Sequence, residues 1–191
     1  MDETGLDELV RRARRHEARA LSTLVERYSP RVFGLLFRMT GSRDVAEDLM
    51  QETFLRVVRT IGRYTESGRF ESWLFRIAAN LARDRARQSK RRGTTASLHA
   101  GDDDGPAPDF AATDGDRPDA RLERNEIGQR LEGVLASLSD AEREIILLRH
   151  FSGLSFREIA EVLSVPLGTA LARAHRALKR MRDAMRDEVR E

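Results

Sequence analysis

Apolar residues recur along this chain at intervals of three and four, and no stretch alternates apolar and polar residues as a half-buried strand would. Met50, Phe54, Val57 and Ile61 line one face of a helix predicted from Ser42 to Ile61; Val45, Asp48, Leu49, Glu52 and Leu55 make a second, mixed face. Phe70, Leu74, Ile77 and Leu81 form the core face of a longer helix, running from Phe70 to about Gln88. Further on, Ile127, Leu131, Val134, Leu135 and Leu138 repeat at helical spacing. Phe156, Ile159, Ala160 and Leu163 make one more stripe, and Ala170, Ala174, Leu178, Met181 and Met185 another.

The punctuation between these runs is also helical. Ser29-Pro30 has the composition of a helix start, with Gly41 as its end and Gly62 closing the helix that begins at Ser42. Ser139-Asp-Ala-Glu142 and Ser155-Phe-Arg-Glu158 both have the spacing of a capping box, so two further helices are predicted to begin there. Ser164-Val165-Pro166 is a turn between the last two. Residues 93–120 hold four Gly, three Pro and seven Asp, too little apolar surface to offset the entropy of ordering. The expected fold is therefore all-α: two small helical domains, 1–92 and 121–191, joined by a flexible acidic linker, 93–120, with a helix-turn-helix ending the second.

Composition narrows the chemistry. The net charge is only +2, but residues 81–92 carry six basic groups and one acid, and the segment from Leu171 to Arg186 is basic again. Separate blocks of one sign point to separate surfaces, the basic ones suited to phosphate. There is no cysteine and the four His are scattered, which excludes thiolate metal sites and disulfides and leaves no metal or cofactor to expect. The longest strongly apolar run is Ile145–Leu148 and the first residues are acidic, so a soluble cytoplasmic protein without membrane insertion is expected. Arg outnumbers Lys 32 to 2, a ratio that genomic base composition explains better than function.

Three faces carry candidate chemistry. On the last predicted helix, Thr169, Arg173, Arg176, Lys179 and Arg180 stand opposite the apolar stripe, as on the second helix of a helix-turn-helix lying in a DNA major groove. Arg173 and Arg176 lie where base edges are reached; Lys179, Arg180 and Arg182 lie further along, where phosphate is. On the long helix, Arg76, Asn80, Arg83 and Arg87 recur at four, three and four beside Trp73, a row able to hold a nucleic-acid strand. Trp73 reads better as a core anchor than as a stacking platform, and a helical hairpin with a solvated basic face is the plain alternative for the last two helices. On the helix from Ser42, Asp48 and Glu52 on the mixed face argue against full burial and for a partner on that side.

These features occur together, in this order, in "YSPRVFGLLFRMTGSRDVAEDLMQETFLRVVRTI", "GRFESWLFRIAANLARDRARQSKRR" and "LSDAEREIILLRHFSGLSFREIAEVLSVPLGTALARAHRALKRMR". With them the chain resembles the extracytoplasmic-function (ECF) sigma factors, promoter-recognition subunits of bacterial RNA polymerase. The resemblance implies that Asp44, Asp48, Gln51, Glu52 and Leu55 dock on the coiled coil of the polymerase's largest subunit. It implies that the loop at Thr65–Arg69, with Arg69, Arg76, Asn80, Arg83 and Arg87, captures the unpaired −10 strand, and that the second domain reads the −35 element as duplex. It further implies the polymerase flap and promoter DNA as partners, an anti-sigma factor as another, a monomer when free, and no catalysis by the chain itself. The linker would thread towards the polymerase active site and RNA exit region. After Val165-Pro-Leu-Gly-Thr169 the family usually has a β-branched residue, then Lys, Ser, Arg and Leu; this chain has Ala170, Leu171, Ala172, Arg173 and Ala174. Leu171 is then expected to pack beside Leu178, and the chain either to read an unusual −35 sequence or to lean on Arg173, Arg176 and backbone contacts. A stand-alone helix-turn-helix regulator remains the rival reading. A metal-dependent nuclease using Asp44, Asp48 and Glu52, or Asp102–Asp104, is disfavoured because the first set is one helix face and the second lies in the linker.

Overall fold

The computed structural model describes residues 3–65, 68–91, 133–135 and 137–188. All regular structure among them is helical, as the patterning requires. The chain divides into two compact units, Met1–Leu98 and His99–Glu191. The expected linker, 93–120, and the stripe residues Ile127 and Leu131 lie outside the described residues, as do 66 and 67 of the expected strand-capturing loop.

The first unit contains α1 (Glu3–Arg14), α2 (Ala18–Thr40), α3 (Arg43–Thr60), a single 3-10 turn (Ile61–Arg63) and α4 (Phe70–Arg91). Helix α2 is central: α1, α3 and α4 all pack on it. Its length corrects the expectation that a helix begins at Ser29-Pro30, because Pro30 lies inside it. A proline in a helix interior costs about 3 kcal/mol. The stripe that α2 buries runs through that position, with Leu24 and Tyr28 before it and Val32, Leu35 and Leu36 after it. Each such burial contributes roughly 1.5–3 kcal/mol, so continuity of the face outweighs the lost hydrogen bond. The neighbouring Ser29 hydroxyl donates back to the Val25 carbonyl (2.7 Å) and so stays within the helix.

The ends of α2 and α3 follow their sequence signals unevenly. Gly41 closes α2 in the left-handed region (φ 68°), its N–H donating to the Phe37 carbonyl at 2.8 Å. Ser42 then caps α3, its hydroxyl accepting from the Val45 N–H. Gly62 does not act as a left-handed cap: α3 ends at Thr60 and tightens into the 3-10 turn. Here the missing side chain matters instead, since a Cβ at Gly62 would lie 3.3 Å from His16 Nε2.

The second unit contains α5 (Asp140–Ser152), α6 (Phe156–Leu163) and α7 (Leu167–Glu188), with residues 133–135 forming a helical turn before them. Both expected capping boxes are present, at Ser139/Glu142 and Ser155/Glu158. Ser164 ends α6 in the left-handed region (φ 55°), with Val165 and Pro166 leading into α7. Ile145, Leu147, Leu148, Leu154, Ile159 and Val162 form the core with the small residues Ala170, Ala174 and Ala177 of α7. Two members of the stripe expected on α7 are not in it: Leu178 is 49% exposed and Met185 58%. Leu171, expected to pack beside Leu178, is 45% exposed. Alanines face α5 and α6, and they let the helices approach closely; the longer side chains fall on the flank, where Leu167, Leu171, Leu178 and Met185 form an exposed apolar row.

Candidate nucleic-acid interface

Helix α4 starts on an aromatic platform. Tyr64 packs against Phe70 edge-on (6.0 Å between centroids) and against Trp73 (5.0 Å); Phe70 also meets Trp73 and Tyr28. Trp73 is thus a half-buried member of this cluster, the anchor reading of that residue. The Tyr64 hydroxyl is buried without a hydrogen-bond partner among the described residues. The Tyr28 hydroxyl donates to Glu71 Oε1 (3.1 Å), which also accepts from Arg31 Nη1 (2.8 Å). Burial, with the Glu71 charge beside it, raises the Tyr28 pKa well above its ordinary value and keeps the phenol a donor.

Below this platform Leu74, Phe75, Ala78, Ala79, Leu81 and Ala82 bury one side of α4, while Ile77 is only half-buried. The opposite side presents Arg76, Asn80 and Arg87 to solvent, with Arg83 half-buried beside them and Arg69 exposed just before the helix. Within the helix Arg83 Nη1 donates to Asn80 Oδ1 (3.3 Å), and Arg87 meets Asp84 at 3.5 Å. The expected row therefore forms one continuous, cationic and hydrogen-bonding strip.

On α3, Asp44, Asp48, Gln51 and Leu55 are exposed, Leu55 by 49%. Glu52 is half-buried and accepts from Arg56 Nε at 2.7 Å. The helix buries Ala46, Thr53, Phe54 and Val57 on its other side. A large apolar residue flanked by carboxylates and left in water is a surface suited to a partner rather than to this unit's own core.

On α7, Thr169 and Arg173 are half-buried and Arg176, Lys179 and Arg180 exposed. Thr169, Arg173, Arg176 and Arg180 follow one another at four, three and four and share a face; Lys179 lies off that row. The row has a partner that spacing along α7 could not reveal. Glu142, at the start of α5, is 4% exposed, and its carboxylate lies 3.5 Å from Arg176 Nε and 3.3 Å from Arg180 Nη1. The same carboxylate accepts from the Ser139 N–H (3.2 Å) and hydroxyl (2.8 Å). These Ser139 hydrogen bonds hold its pKa below the ordinary 4.5 against the opposing effect of burial, with the two arginines adding to the lowering. The adjacent Arg143, also buried, donates from Nε to the Leu135 carbonyl (2.9 Å) and from Nη2 to that of Leu138 (3.3 Å), fixing the turn from which Glu142 projects.

The comparisons with known proteins agree with this layout. Residues 24–92 match the Sigma-70 region 2 family and residues 128–181 the Sigma-70 region 4 family. The chain is 32% identical over 184 residues to the RNA polymerase sigma-H factor of Pseudomonas aeruginosa, covering 96% of this chain and 95% of that protein. It is 30% identical over 178 residues to the ECF RNA polymerase sigma factor SigW of Bacillus subtilis, covering 93% and 95%.

The chain belongs to the ECF sigma factors.

Among solved structures, CnrH in complex with the cytosolic domain of CnrY shares the fold of this sigma factor, with a TM-score of 0.66 at 23% identity over 95% of this chain and 97% of that one. The sigma factor RpoE of Bartonella quintana, solved with the anti-sigma factor NepR, does so at 0.66 and 21% identity over 86% and 96%. The aromatic platform and α4 row lie in the region 2 match, and the α7 row in the region 4 match. As a sigma factor the chain directs RNA polymerase to promoters. Among the described residues no helix is long and apolar enough to cross a membrane, and no group of three His, Asp or Glu residues could hold a metal ion.

Proposed function

We propose that the two basic rows divide promoter recognition between them. Region 2 offers Arg69, Arg76, Asn80, Arg83 and Arg87 to the unpaired −10 strand, arginines on phosphate and Asn80 on a base edge. Region 4 lays α7 in the major groove of the −35 duplex, with Thr169, Arg173 and Arg176 towards base edges and Lys179 and Arg180 towards phosphate. Helix α3, through Asp44, Asp48, Gln51, Glu52 and Leu55, docks on the largest subunit of core polymerase. The observation that carries this reading is the pairing, in separate compact units, of an exposed Arg/Asn row on α4 with an exposed basic row on the second helix of a helix-turn-helix. A stand-alone regulator would have no use for the first.

Strand separation costs a few kcal/mol for each unpaired base, and core polymerase offsets it by fixing the spacing of the two readers. The chain itself carries out no catalysis, acts in the cytoplasm as a monomer when free, and is a target for an anti-sigma factor of the kind solved with its structural neighbours. The test is run-off transcription with core polymerase on promoter DNA from the chain's own upstream region. A specific transcript lost with Asp48→Arg, Asn80→Ala or Arg173→Ala supports the three assignments separately. Absence of both transcript and core binding, with a palindromic duplex bound by a dimer, would replace them with a stand-alone regulator.

A further inference from the structure

Six ion pairs elsewhere, among them Arg11–Glu8, Arg31–Glu71 and Arg87–Asp84, join side chains that are each about a third or more exposed. The pairs made by Glu142 differ. Its side chain is 5% exposed while those of Arg176 and Arg180 are 58% and 56% exposed. Two hydrogen bonds from Ser139 fix the carboxylate, so the anion cannot follow the arginines outwards. The arginines can leave it. Their separations of 3.5 and 3.3 Å exceed the roughly 2.7–2.9 Å of a tight charge-assisted bond. Each guanidinium has five N–H donors in a rigid fork, and most of them remain available for a second anion. The cluster of Glu142, Arg176 and Arg180 also carries one net positive charge where the two arginines alone would carry two.

We propose that Glu142 is a positioning residue for duplex recognition: it holds Arg176 and Arg180 against α5 and cancels one of their charges, which weakens binding to arbitrary phosphate and so raises discrimination for the −35 element. This rests on the reading of α7 as the −35 reader. Sequence-independent affinity scales with the number of phosphates neutralised, whereas discrimination depends on how well the donors are aimed. A fixed anion behind two exposed cations reduces the first and improves the second.

Glu142→Gln separates charge from structure, because Gln at the third helical position also completes a capping box with Ser139. Fluorescence anisotropy of the full chain, over a salt series, would compare a duplex carrying the −35 element with a scrambled duplex of equal length. The variant is expected to bind the scrambled duplex several-fold more tightly, with a log–log salt slope steeper by about 0.9 for the one added phosphate contact, and to lose several-fold in discrimination. In an Arg176→Ala/Arg180→Ala background the same change should alter neither. Unchanged scrambled-duplex affinity and slope, in a wild-type chain that does prefer the −35 element and loses that preference with Arg173→Ala, would overturn the role of Glu142 alone. No preference, and no effect of Arg173→Ala, would overturn the reading of α7 and this proposal with it. A second measurement needs no variant: the Arg176 Nε–H resonance of the wild-type chain should be shifted from the solvent-exposed arginine position and move on titration with duplex. A resonance at the exposed position from the outset would count against the clamp.

Discussion

Two basic rows with the same spacing differ in the contacts that hold them. On α4, Arg83 leans on Asn80 and Arg87 on Asp84, groups of the same helix three residues away. On α7, Arg176 and Arg180 lean on a buried carboxylate delivered by another helix. A row meant to follow a single strand, whose backbone is flexible, gains from side chains that adapt. A row meant for a duplex of fixed groove geometry gains from side chains already aimed. On the proposed assignment, the support beneath each row, more than its composition, separates the two tasks.

The comparison breaks most completely if the support of one row is removed. Phe75 is fully buried on the core side of α4, with Arg31 over its ring at 5.3 Å. Phe75→Ala should cost about 3–5 kcal/mol, unfolding the first unit while leaving the second. Calorimetry would show one transition lowered and the other unmoved. A smaller loss comes from Arg143→Ala, which removes the side-chain donor of the Leu138 carbonyl and leaves the Leu135 carbonyl only the Leu138 N–H; about 1–3 kcal/mol is expected, together with a looser Glu142 and poorer −35 discrimination. Removing the Ser155 hydroxyl cap with Ser155→Ala should lower the stability of the second unit by about 1 kcal/mol in urea titrations, without altering the salt dependence of DNA binding.

Acid gives a finer test. The Glu142 pKa is lower folded than unfolded, so its contribution is complete at pH values above the ordinary 4.5 and disappears as the pH falls through the folded value. The second unit of the wild type should therefore lose more stability than that of Glu142→Gln between neutral pH and the region below 4.5, by urea midpoints at each pH. The smallest effect belongs to the α4 row. Arg87 and Asp84 are 74% and 57% exposed at 3.5 Å, so Asp84→Ala should change stability by less than about 0.5 kcal/mol.

What was legible in the sequence was what is decided locally. The capping boxes at Ser139 and Ser155, the left-handed Gly41 and the turn at 164–166 all lie where four or five residues settle the matter. Pro30 misled because the local rule for proline is correct but weaker than the buried stripe on both sides of it. Leu178 and Met185 misled because spacing defines a face without saying what lies opposite; Ala177, which carries little hydrophobic signal, is the residue that is buried. The α4 row was readable from density of charge, and the outward side of α3 from Asp48 and Glu52 on its mixed face. Glu142 was visible only as a capping residue, since its arginines lie on a different helix more than thirty positions away. Its burial beside a basic helix could be known only once the chain was folded.

The two capping boxes have a consequence for how the second unit forms. Helices α5 and α6 each begin at a Ser-x-x-Glu sequence that satisfies its own first turn, so the costly nucleus of each is specified by adjacent residues. Helix α7 then packs on both of them, on its chain neighbour α6 and across it on α5. Small helical units, rich in contacts within each helix, fold in roughly microseconds to milliseconds. Diluted from denaturant, this segment should regain its native far-ultraviolet signal within the dead time of manual mixing.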